Sequence, residues 1–299
     1  MNYVLHLLIY LSIYAILALS LDLVVGYMGR LNLAHAGFVA VGAYAYALIT
    51  VKLGWGFIPG LMVAVIVAAL LSPLLSLPAW RFKGDFFIMI TLTVQALLYG
   101  VINNWTSTGA PLGTLRNLTN GPFGIAGVSR PEFFGYKCDT LGAMSVLSVA
   151  LAGICALIVF CLIRSPWGRL LKCARDDELA LCGLGKNLRA LKIQVFAFSC
   201  GLAAVGGVIY VSYVSYIDPS AASLDESILL VCMLSVGGMG NFRGPLVGAL
   251  VLLLLPELLR LAPLPQAFAA NFRLLAYGLL IILIVHFRPQ GIAGEYRME

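Results

Sequence analysis

The chain has 299 residues, 61% of them hydrophobic and only 11% charged, with a formal net charge of +6. An ordinary soluble domain carries about 25% charged residues, and no single soluble core buries this much apolar surface, so the composition excludes a soluble domain and makes lipid bilayer the solvent. The basic residues fall between apolar stretches rather than on one solvated face, which reads as the bias of cytoplasmic loops and excludes nucleic acid as a partner.

Apolar windows of about 20 residues recur along the chain and predict an all-α polytopic bundle of about nine spans, within a range of eight to ten, in one domain over residues 1–299. The first span covers 3–25; no Lys or Arg precedes it and it is too long for a cleaved leader, so it reads as retained. Asp22 lies near its inner end, where Arg30 is close enough in sequence to pair with it; a role on a solute pathway is the other reading. Asn32 and His35 open the second span, 33–51, either hydrogen-bonding nearby backbone or meeting solute. The third span is 57–79 and the fourth 85–105. Thr91 and Gln95 share a face of the fourth, where they line a polar route or bond another span.

Residues 106–139 form the longest polar stretch, rich in Gly and Pro, and are expected to be a loop ordered by turns. The fifth span, 140–163, leads into 164–192, which holds seven of the nineteen basic residues: Arg164, Arg169, Lys172, Arg175, Lys186, Arg189 and Lys192. This segment is placed in the cytoplasm. Pro166 opens a helix there and Gly183 and Gly185 close it, predicting one short amphipathic element over 170–184, either a solvated loop or a docking helix for a cytoplasmic partner. Span six is 193–213 and span seven, 226–236, is short and ends on glycine. Span eight is 245–261 and span nine 272–287. Counting outward puts the N-terminus outside and the C-terminus inside, with the 106–139 loop outside. The pairs Asp218-Pro219 and Asp225-Glu226 then flank span seven on the outer side, where they could meet a partner.

Gly26-Tyr27-Met28-Gly29 and Gly237-Gly238-Met239-Gly240 share Gly-x-Met-Gly. Each follows a span on the cytoplasmic side, as a parallel internal repeat requires. Small residues four apart, such as Ala36 with Ala40 and Ala203 with Gly207, suit close helix packing. Seven cysteines and three histidines have no metal-ligand spacing, so no metal site is expected. No nucleophile–base pair suggests an enzyme. A P-loop is excluded too, since Gly185-Lys186 is followed by Asn187 and Ala180 stands where the first Gly belongs.

Four stretches resemble the LivM-type permease of branched-chain amino-acid ABC importers. They are residues 19–38, with Gly26-Tyr27-Met28-Gly29-Arg30-Leu31-Asn32-Leu33-Ala34-His35; residues 168–187, with Ala174-Arg175-Asp176-Asp177-Glu178; Ala197-Phe198-Ser199 with Gly206-Gly207; and residues 237–260, with a closing Arg288-Pro289-Gln290-Gly291. The resemblance implies a subunit of the bacterial inner membrane forming half of a translocation pathway. Its implied partners are a second permease, two cytoplasmic ATPases and an outer substrate-binding protein. It implies no cofactor in this chain, ATP and Mg being bound by the ATPases. It also assigns Arg175, Asp176, Asp177, Glu178, Ala180, Gly183 and Gly185 to the segment that couples to the ATPase. Leu181, Cys182, Lys186 and Asp22 depart from the usual pattern. The implied cargo is branched-chain or other neutral amino acids, with urea or short-chain amides as the alternative. A stand-alone secondary transporter, coupled through Asp22 or Glu257, is the alternative of another class.

Overall fold

A computed structural model describes residues 2–82, 84–107, 109–133, 136–138, 140–261, 278–279 and 290–293. The ninth expected span lies outside them. Among the described residues six helices are long and apolar enough to cross a membrane: Asn2–Tyr27, His35–Leu53, Phe57–Arg81, Asp85–Asn104, Leu141–Arg164 and Leu188–Val214. This is a multi-pass membrane protein, and the described residues account for six of the roughly nine spans expected from sequence.

In chain order, α1 (Asn2–Asp22) runs into a π turn, Leu23–Tyr27. A non-helical stretch precedes α2 (His35–Leu53). The third span is three pieces, α3 (Phe57–Leu71), α4 (Pro73–Ser76) and α5 (Pro78–Arg81). Pro73 and Pro78 each open a new piece, because proline donates no hydrogen bond to the turn before it. There follow α6 (Asp85–Asn104) and α7 (Leu141–Arg164). The basic segment forms two helices, α8 (Pro166–Asp176) and α9 (Glu178–Gly183), not the single helix expected. Asp177 is extended between them, with φ −151° and ψ 106°. Then come α10 (Leu188–Val214), the 14-residue α11 (Leu224–Gly237) and α12 (Arg243–Leu261).

Helices α1 and α10 are the centre of the bundle. Their apolar windows are 78% and 83% buried, against 28% for α6 and 17% for α7. Small residues let α10 approach its neighbours closely. A Cβ on Gly42 of α2 would collide with Ala204, and one on Gly207 would strike the Val39 carbonyl.

The 109–133 stretch is ordered by turns and by two-residue strands. Strand β1 (Ile125–Ala126) pairs antiparallel with β4 (Tyr216–Ile217), and β2 (Glu132–Phe133) with β3 (Tyr136–Lys137). Thr119 Oγ1 donates to the Ile102 carbonyl at 2.6 Å, which fastens the stretch to the end of α6.

Candidate functional site

Polar side chains converge where helices are interrupted. Gly26 opens one copy of the glycine repeat and Gly240 closes the other, and the two meet. The buried Asp22 carboxylate accepts the Gly240 N–H at 3.0 Å, and no Cβ fits on Gly26 between them. Gly29 and Gly240, equivalent in the repeat, both take left-handed φ, +69° and +76°. Met28 and Met239 are both buried. Non-helical backbone at this depth persists because protein satisfies it.

Arg30 does not pair with Asp22. Its Nη2 donates to Glu178 at 2.7 Å and its Nη1 to the Phe82 carbonyl at 2.8 Å. The place beside Asp22 is taken by Arg175, whose stem packs over Gly29 and whose Nη1 donates to the Gly26 carbonyl. Lys192, expected in a solvated basic loop, is buried, lies 2.8 Å from Glu178 and donates to the Ala79 carbonyl. The Glu178 carboxylate therefore faces the bundle. With Leu171, Ala174 and Leu181 buried beneath it, the α8–α9 segment is fixed to the π turn and the stretch that follow α1, and to α10. Its other side is bare. Leu179 is 81% exposed and Leu184 73% exposed. Asp176, Ala180, Gly183 and Gly185 are exposed too.

The second group surrounds the start of α2. His35 is fully buried, and its Nε2 bonds the Ser20 hydroxyl of α1 at 2.8 Å, a side chain rather than the adjacent backbone. Asn32 Oδ1 accepts the Ala34 N–H, while Asn32 Nδ2 and His35 Nδ1 lack partners among the described residues. Thr91 accepts the Leu33 N–H at 3.3 Å. Gln95 accepts the Gly37 N–H and donates to the carbonyls of Ala222 and Ser223 at 2.7 and 3.1 Å. Thr91 and Gln95 thus tie helices together.

Gln95 also fixes the depth of α11. It stands ten residues into α6, about 15 Å along the helix axis, so α11 begins near the middle of the bundle. The Ala36 N–H donates to Ser227 at 3.1 Å and binds the starts of α2 and α11 together. Glu226, read from sequence as an outer loop charge, is instead half-buried and lines an internal cavity with Tyr10, Tyr14 and Tyr210. A sequence signal existed: Ser223 caps the helix three residues before Glu226, which starts α11 earlier than hydropathy does.

Residues 3–285 match the model of a family described as the permease component of branched-chain amino acid transport systems. The chain belongs to this family. It is 31% identical to the high-affinity branched-chain amino acid transport system permease protein LivM of Escherichia coli (strain K12), over 96% of this chain and 69% of that protein. A probable LivM of Methanocaldococcus jannaschii is 25% identical, over 96% of this chain and 92% of the relative. The LivH permease protein of Escherichia coli (strain K12) is 26% identical, over 96% and 93%. No solved structure matches the chain. A permease works by moving helices against one another, and this permease carries its buried polar contacts at the places where its helices are broken.

Proposed function

We propose that the chain is one permease subunit of a binding-protein-dependent ABC importer, pairing with a second, similar permease and carrying branched-chain or other neutral amino acids. Relatives named both LivM and LivH match it, which supports a pair of related permeases. Two cytoplasmic ATPases supply ATP binding and hydrolysis, and an outer binding protein delivers the cargo. The subunit sits in the bacterial inner membrane with its N-terminus outside and its C-terminus inside.

The observation that carries the mechanism is the two-sidedness of α8–α9. Its inner side is tied by Glu178 to Arg30 and Lys192, while Leu179 and Leu184 stand free on the outer side. Exposed apolar knobs beside a charged surface suit insertion into a partner's groove. Ion pairs behind them pass a push from that partner to the stretch between α1 and α2 and to α10. In this reading α8–α9 is the coupling element. Arg175 and Glu178 serve as its inner anchors and Asp177 holds its break. Ala180, Gly183 and Gly185 belong to its docking face.

Replacing both Leu179 and Leu184 with Glu tests this. Membrane levels should match the parent, while the ATPases no longer copurify and leucine uptake is lost. ATPase copurification at the parental yield would refute the docking assignment.

A further inference from the structure

Between α1, α2, α10 and the first turn of α11 lies a cavity of about 230 Å³, far more than the roughly 30 Å³ of one liquid water. Its polar wall is Tyr10, Tyr14, Tyr210, Ser220 and Glu226, and its apolar wall includes Leu17 and Leu230. Tyr10 and Tyr14 stack with ring centroids 6.5 Å apart. Among the described residues no Lys or Arg lines the cavity and no cation pairs with the Glu226 carboxylate. Two other buried or half-buried acids of the bundle differ: Asp22 is bonded to Gly240, and Glu178 to Arg30 and Lys192.

An uncompensated carboxylate halfway through a membrane bundle is costly and marks a path for solute or ions. Tyrosine faces beside it carry negative electrostatic potential and add to its attraction for a cation. Aliphatic walls across the same space reject a strongly hydrated metal ion and favour an organic group. The start of a discontinuous helix at the bundle midplane is also where a transported solute meets half-helix ends.

We propose that this cavity is a way-station for transported solute, in which Glu226 and the tyrosines hold the ammonium group of an aliphatic amino acid while Leu17 and Leu230 receive its side chain. The assignment rests on the importer reading above and adds a site to it.

The test uses the assembled transporter in proteoliposomes, with its partner subunits and L-leucine as the probe. E226Q should lower leucine uptake about tenfold or more, the loss expected for one charge-assisted hydrogen bond. E226D should keep most of the uptake, and ATP hydrolysis stimulated by the binding protein should show both variants assembled. Photo-leucine activated during turnover should label the cavity-lining helices α1, α2, α10 or α11 in the parent transporter and leave them unlabelled in E226Q. Uptake by E226Q at the parental rate, or labelling confined to helices that do not line the cavity, overturns the site and leaves the importer reading standing. A parent complex that hydrolyses ATP without moving leucine removes the substrate class from both.

Discussion

Glu178 accepts two cations at once, and both are sequestered: the side chains of Arg30 and Lys192 are 8% and 2% exposed. Removing one partner of a buried ion pair leaves the remaining charge uncompensated, which costs more than the pair itself contributes. Glu178→Ala should therefore destabilise the protein by about 3 kcal/mol, read as a lowered apparent melting temperature in detergent, with Glu178→Asp intermediate. A melting curve unchanged by Glu178→Ala would mean the two cations are solvated. The sequence marks Glu178 through the family pattern but hides its partners, one 148 residues away. Nearness along the chain suggested Asp22 with Arg30 instead. That guess fails because Gly29 turns left-handed and Arg175 packs over it, occupying the place beside Asp22. Thr91 and Gln95 share a helix face, which is local information; their partners before and in α2 and before α11 are long-range and were not legible.

At the scale of the helix, apolar windows located the described spans to within a few residues, because hydropathy and length are all that a bilayer demands of a span. Hydropathy says nothing of depth, however. The polar run before α11 looks like an outer loop, yet its carbonyls accept hydrogen bonds from Gln95 inside the bundle. Hydropathy also misses breaks within polar segments. The α8–α9 break is set by Asp177, whose carboxylate accepts the N–H groups of Leu179 and Ala180 at 2.8 and 3.1 Å. Such a cap is worth about 1 kcal/mol to the helix it starts. A six-residue helix has little else of its own to hold it, since isolated helices this short are unstable. Asp177→Ala should thus speed amide hydrogen exchange across α9 severalfold while leaving exchange in α10 unchanged. Equal protection of α9 in both proteins would show that Leu181 packing alone maintains it.

For the whole molecule, central α1 and α10 are enclosed while α6 and α7 turn most of their apolar surface outward, toward lipid or a second subunit. Which end of the bundle faces the cytoplasm rests on the seven basic residues of 164–192, by the rule that Lys and Arg stay inside. The native cysteines can decide it. Cys138 is half-exposed just before α7, and Cys173 and Cys182 are exposed just after it. The 24 residues of α7 separate these positions by about 36 Å, so a bilayer crossed by that one helix puts them on opposite sides whatever the remaining spans do. Cys155 and Cys200 are buried and should stay silent. A membrane-impermeant maleimide should therefore modify Cys138 in right-side-out vesicles, and Cys173 and Cys182 only in inside-out ones. The reverse pattern would put α8–α9 on the outer face, where no ATPase could reach it, and labelling of all three from one side would remove α7 from the spans.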